Sequence, residues 1–217
     1  MTIHHHPSDA LLVDYASGAM RPAQALVLAA HVHACPRCRS HVRAAEAAGG
    51  ALLEELAAAP MTPEALALAM ARLDRPEPAS PTAARPTGVA APEDWIAVPD
   101  EVAAAVRRRR WVAPGVWVAQ VFKSRPDEPL SYLLRVGGGM RMPQHTHQGT
   151  ELTLVLKGAF VDESTRYEAG DLAEVDGEVE HSPHITAEGE CVCLVASDRP
   201  LVVRGVIARA VQKLAGI

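Results

Sequence analysis

Two periodicities divide this chain. Over the first 73 residues apolar positions recur every three to four residues, the spacing of one face of an α-helix. Ser8 and Asp9 offer an N-cap for a first helix over residues 10–19, where Leu11, Leu12 and Tyr15 form an apolar stripe. Pro22 sits at a favoured first-turn position and opens a second helix through His31 to Ala34, with Leu26, Val27, Ala30 and His31 at helical spacing. A third extends from Pro36 to about Leu56, with Gly49-Gly50 as its weak point. Thr62 and Pro63 start a fourth, which carries Leu66, Met70 and Leu73 at i, i+4 and i+7. From Asp94 the period changes to two. Short strands are expected over residues 116–123, 130–136, 151–157, 166–167, 171–175, 191–196 and 201–206, separated by Gly, Asp and Pro turns. Such spacing suits an antiparallel sandwich or barrel.

Between the halves, Pro76, Pro78, Pro81, Pro86 and Pro92 stand among Ala, Ser, Thr and Arg, the composition of a linker rather than of a core. The expected organisation is therefore multidomain α plus β. It comprises a four-helix unit over residues 1–74, a proline-rich linker over 75–93 and a β-domain over 94–217, the two domains being free to move relative to each other. Hydrophobic residues make up 48% of the 217, enough for a sizeable core, but aromatics only 4%, so Ala, Val and Leu carry it. A net charge of −5 gives no general attraction to nucleic acid or to an acidic membrane. The one basic run, Arg107 to Arg110, reads as a solvated segment. No stretch approaches the roughly 18 apolar residues of a membrane span, and the first residues lack a signal-peptide pattern. A cytoplasmic location is the expectation, with neither membrane nor nucleic acid as a direct partner. Four cysteines fall in two close pairs, Cys35/Cys38 and Cys191/Cys193, which in a reducing compartment points to metal or redox chemistry before structural disulfides.

Two constellations carry chemistry. In the β-domain, His145 and His147 stand at i and i+2, on one face of a strand, and Glu151 follows four residues on, past a turn at Gln148-Gly149. His181 can supply a fourth ligand, and this N/N/O/N set suits a divalent transition metal such as zinc, iron, manganese or nickel. In the helical half, His31-x3-Cys35-x2-Cys38 puts His31 and Cys35 on one helix face, with Cys38 across the Pro36 turn. These ligands fit tetrahedral zinc, completed by one of His4, His5 and His6. His33, His41 and His184 are read as bystanders. Cys191 and Cys193 lie at i and i+2 on an apolar strand and read either as two buried small hydrophobes or as an oxidisable thiol pair. Glu163, Glu168 and Glu180 are read as exposed carboxylates.

The segment Gly139-x5-His145-x-His147-x3-Glu151-x6-Gly158 resembles the first conserved motif of the cupin family at every position. The second cupin motif is met in part: Gly170 and His181 are in place, but the expected proline and asparagine are missing. The resemblance implies a jelly-roll-like cupin β-barrel with His145, His147, Glu151 and His181 as ligands of zinc or another divalent transition metal. The His31-x3-Cys35-x2-Cys38 signature on a short helical unit resembles the zinc-binding anti-sigma domain, in which an N-terminal histidine completes the site. His6, beside Pro7 and the Ser8 cap, is the first choice and His5 the second. Taken whole, with Ser8-Asp9-Ala10-Leu11-Leu12, Glu151-Leu-Thr-Leu-Val-Leu and the Cys191-x-Cys193 strand, the chain is similar to the ChrR family of anti-sigma factors.

That resemblance implies a protein that binds an extracytoplasmic-function sigma factor in a 1:1 heterodimer and releases it on oxidative stress of the singlet-oxygen type, sensed through the cupin domain. Leu66, Met70 and Leu73 then offer a helix-in-groove contact to the sigma factor, unless they pack on the first three helices. The rival from another class is a metal-dependent cupin enzyme, dioxygenase-like, with a small zinc interaction module; the barrel sequence offers no obvious general base beyond the ligands.

Overall fold

The fold was taken from a computed structural model, which describes residues 2–73, 91–122, 129–177, 180–199 and 202–203. The residues between the two halves and most of the predicted last strand lie outside these.

Helix α1 (Asp9–Ala16) starts where the Ser8 hydroxyl accepts the Leu11 N–H, and α2 (Pro22–Ala34) and α3 (Pro36–Glu54) each begin with proline in the first turn. Cys35 is at once the C-cap of α2 and the N-cap of α3, in an extended conformation with φ −105° and ψ 106°. The reversal therefore takes a single residue. Gly49 and Gly50 do not break α3, because alanines on both sides keep helix propensity high enough to carry them. Helix α4 (Ala65–Leu73) buries none of its residues, so its apolar stripe is not packed on the other helices. A short helix not anticipated from the pattern, α5 (Asp100–Ala105), follows later and buries Val102, Ala103 and Ala105.

The β-domain contains twelve strands among the described residues: β1 (Arg110–Ala113), β2 (Val116–Phe122), β3 (Leu130–Val136), β4 (His145–Thr146), β5 (Glu151–Lys157), β6 (Ala159–Asp162), β7 (Thr165–Glu168), β8 (Leu172–Val175), β9 (Glu180–His181), β10 (His184–Ile185), β11 (Cys191–Ser197) and β12 (Val202–Val203). All pairings are antiparallel. One six-stranded sheet has the order β1-β2-β3-β11-β5-β8, and two three-stranded sheets have the orders β10-β6-β7 and β12-β4-β9. The longer strands match the period-two expectation. Those missed are two to four residues long, too short to show a period, or begin beside the basic run, as β1 does.

The centre of the six-stranded sheet is buried on both faces. Along β5, Leu152, Leu154 and Leu156 join a cluster with Leu12, Leu26, Val27 and Ala30 of α1 and α2, while Val155 faces the other way. Along β11, Val192, Leu194 and Ala196 meet the helices, while Cys191, Cys193 and Val195 point into the barrel with Tyr132 and Phe160. This alternation is the pleat at work, successive side chains pointing to opposite faces. The helical unit thus forms a cap on the outer face of the barrel and shares one core with it; independent movement of the two halves requires that core to open.

Gly158 links β5 to β6 at φ +75°, and a Cβ there would sit 2.1 Å from the Glu190 carbonyl oxygen. Both the left-handed backbone and the close approach require glycine. Gly158→Ala is expected to destabilise the fold by about 2 kcal/mol or more, read as a lowered midpoint in urea unfolding.

Candidate metal centres

The one-residue joint at Cys35 builds the first site. It places His31 one turn back on α2, Cys35 at the corner and Cys38 in the first turn of α3. The fourth side chain is His6, from the arm preceding α1. The ligand atoms of His6, His31, Cys35 and Cys38 all lie within 4.8 Å of one another. His31 Nε2 is 3.3 Å from Cys38 Sγ, and His6 Nδ1 is 3.5 Å and 3.4 Å from Cys35 Sγ and Cys38 Sγ. Zinc bonds of about 2.3 Å to sulfur and about 2.0 Å to nitrogen, at tetrahedral angles, separate the two donor types by about 3.5 Å, so the residues fit the ion. Of the two histidines considered for the fourth position, His6 is the one brought to the cluster; the His5 ring instead lies 4.6 Å from that of Tyr167, tilted by 46°.

Electrostatics support the fit. His31 is fully buried, and burial lowers its pKa to about 4, against the opposing pull of its hydrogen bond to Gly170. It is therefore neutral at pH 7. Its Nδ1–H donates to the Gly170 carbonyl at 3.0 Å, leaving the Nε2 lone pair aimed at the cluster. Burial, and then the neighbouring Cys35, push the Cys38 thiol up to about 12. Two thiols held that close in a dry pocket become thiolates when a divalent cation compensates them. His33 is exposed, and His41 lies 3.5 Å from Asp9 rather than in the cluster.

The second site lies inside the barrel. Strands β4 and β9 pair with His145 directly opposite His181, and Glu151 enters from the facing sheet at the start of β5. The predicted turn at Gln148-Gly149 is present, with Gly149 at φ +97°. The ligand atoms of His145, His147, Glu151 and His181 fall within 4.8 Å of one another, and all four residues are buried. Nε2 of His147 and Nε2 of His181 are 2.7 Å apart. His145 Nδ1–H donates to the Pro143 carbonyl, turning Nε2 inward, and burial holds its pKa below the ordinary histidine value. Glu151 Oε2 and His147 Nδ1, 3.3 Å apart, are buried without a hydrogen-bond partner among the described residues. An orphaned carboxylate oxygen among three imidazoles is costly by itself, and a cation held there would satisfy it.

Sequence reasoning missed Asp162. It ends β6, and its Oδ2 accepts the Nδ1–H of His181 at 2.5 Å, fixing the ring with Nε2 towards the site. No spacing from the cupin motif marks it, because β6 meets β9 only through the barrel's closure. Glu163, Glu168 and Glu180 are exposed, as read from the sequence, and none lines the cavity. That cavity, about 70 Å³, is walled by Tyr132, Met142, Phe160 and Val195. Cys191 and Cys193 also line it, their sulfurs 3.6 Å apart. The hydrogen bond to Cys191, together with burial, keeps the Cys193 thiol well above its ordinary pKa.

Fold and clusters together describe a cupin-like barrel under a helical cap, each carrying four side chains that could hold a metal ion. Residues 99–199 match the family described as the ChrR cupin-like domain. The chain is 41% identical over 212 residues to the anti-sigma-E factor ChrR of Cereibacter sphaeroides, covering 98% of both. It is 38% identical to a chain in the crystal structure of Rhodobacter sphaeroides SigE in complex with the anti-sigma ChrR, with a TM-score of 0.73 over 90% of this chain and 100% of that one. An RmlC-like cupin protein from Ralstonia eutropha JMP134 is 23% identical with a TM-score of 0.42, covering 46% of this chain and 69% of that one. The chain belongs to the ChrR family of anti-sigma factors.

Removing the carboxylate behind His181 should loosen the barrel site specifically. Asp162→Ala is expected to weaken its metal affinity about 10- to 100-fold, measured by chelator competition on the full-length protein.

Proposed function

We propose that this chain is a cytoplasmic anti-sigma factor. Its helical cap holds an extracytoplasmic-function sigma factor in a 1:1 heterodimer, and its barrel detects the oxidative signal that ends the inhibition. The observation that carries this reading is end-to-end similarity to an anti-sigma factor, combined with two complete four-ligand clusters in the folded chain. Among the described residues no helix is long and apolar enough to cross a membrane.

Zinc, bound at His6, His31, Cys35 and Cys38, supplies cross-linking that a cap rich in alanine and leucine lacks. The chain's own contribution is the display of apolar surface. Leu66, Met70 and Leu73 are 72%, 56% and 76% exposed, and Leu52, Leu53 and Leu56 at the end of α3 are similarly bare. A run of large exposed hydrophobics on two successive helices marks a protein-binding surface. Co-expression with an extracytoplasmic-function sigma factor of the same organism, followed by co-purification, tests the reading. Leu66→Asp with Met70→Asp should lower sigma-factor affinity at least about tenfold while leaving the zinc content unchanged.

For the barrel, the proposed ligands of zinc or another divalent transition metal are His145, His147, Glu151 and His181. His145, Glu151 and His181 line the same cavity as the Cys191 and Cys193 thiols. The barrel is read as a detector rather than a catalyst, in keeping with membership of a family of regulators. His145→Ala and Glu151→Ala proteins should still inhibit the sigma factor yet fail to release it when cells generate singlet oxygen. Normal release in both would remove this site from the switch.

A further inference from the structure

The arm that carries His6 is held by the barrel rather than by the helices. Its backbone runs beside β8, the edge strand of the six-stranded sheet. The N–H groups of His4 and His5 both donate to Asp171 Oδ1, at 2.7 and 3.0 Å. Leu172 N–H donates to the His5 carbonyl at 3.1 Å, and the Ser8 N–H and hydroxyl reach the Glu174 carboxylate at 3.0 and 3.2 Å. The other Asp171 oxygen accepts the Glu168 N–H at 2.9 Å. Asp171 is only 1% exposed. A carboxylate so buried, taking three backbone N–H groups, is a fixed anchor.

The same turn holds the second histidine of the cap cluster, since His31 donates to Gly170. Both histidines of the cap site are thus set by two consecutive barrel residues. The turn is tied in its own right to β5, with Gly170 N–H donating to the Val155 carbonyl at 2.8 Å and Val155 N–H donating to the Asp171 carbonyl at 3.0 Å. Val155 is on the strand that begins with Glu151 of the barrel site.

We propose that Asp171 is a positioning residue for the cap metal site. Acting through the His4–His5 backbone, it places His6, while Gly170 orients His31, so the barrel supplies the outer support of a site whose ligands all lie in the helical half. The edge of the barrel sheet thereby sets the metal affinity of the cap, and a displacement of β5 reaches His6 and His31 through two hydrogen-bonded residues. The proposal rests on the cap cluster holding metal.

Cobalt(II) titration of the full-length protein tests it. Thiolate-to-cobalt absorption reports the cap site, and its loss in Cys35→Ser assigns it there rather than to Cys191 and Cys193, which line the barrel cavity. Zinc competition against the cobalt signal gives affinity. Asp171→Ala should weaken the cap site about 10- to 100-fold, with barrel-site zinc affinity within about twofold of the unaltered protein. Asp171→Asn, which keeps one carbonyl oxygen for the two arm N–H groups, should recover much of the loss; a role of the charge alone predicts no recovery. His4→Pro removes one donor from the exposed arm without touching the barrel, and should weaken the same site in a protein whose fold is intact. Unchanged cap affinity in His4→Pro and Asp171→Ala overturns the proposal. Absence of thiolate-to-cobalt absorption in the unaltered protein instead overturns the cap metal site itself.

Discussion

Burial of β5 and β11 on both faces is the constraint on which the rest of this structure depends. One face must be apolar for the helices, and the other must carry Glu151, Cys191 and Cys193 into the barrel. A slip of one residue in either strand would exchange the two sets, placing a carboxylate against Leu26 and Val27 and leucines in the metal cavity. The register is pinned along the whole length of β11, paired from Cys191↔Val136 to Ser197↔Leu130 on one side and with β5 on the other. The sheet is therefore a wall common to two compartments, and neither metal cluster is structurally independent of it.

Each cluster shows the same division of labour. Three of the four candidate ligands come from one short stretch of chain, and a hydrogen bond to the other ring nitrogen aims each of several histidines. Gly170 aims His31, Asp162 aims His181, and the Pro143 carbonyl aims His145. An imidazole has two nitrogens and a rotatable ring, so a bond to one nitrogen decides the tautomer and direction of the other.

The cap spends its apolar residues unevenly. Helix α2 packs on the outer face of the sheet with α1 and α3 against it, and the residues left over, on the end of α3 and on α4, are exposed. A surface of that kind is suited to a partner helix or groove.

Much of this was legible in the sequence. Three members of each candidate ligand set, the second helix with its proline start and the longer strands follow from local spacing, because i, i+2 and i, i+4 relations are properties of a strand and a helix alone. The sequence narrowed the last cap ligand to the first histidines of the chain; the fold brought His6 to the cluster and sent His5 to Tyr167. Contacts between residues distant in the chain were not legible. Asp162 behind His181, Asp171 beneath the arm and the shared core of helices and sheet depend on how the elements close on one another. The sequence by itself determined which side chains this protein offers to a metal. Only the tertiary structure decided which way they point, because their outer partners lie 19 and 139 residues away along the chain for His181 and His31, at separations where no backbone periodicity relates one position to another.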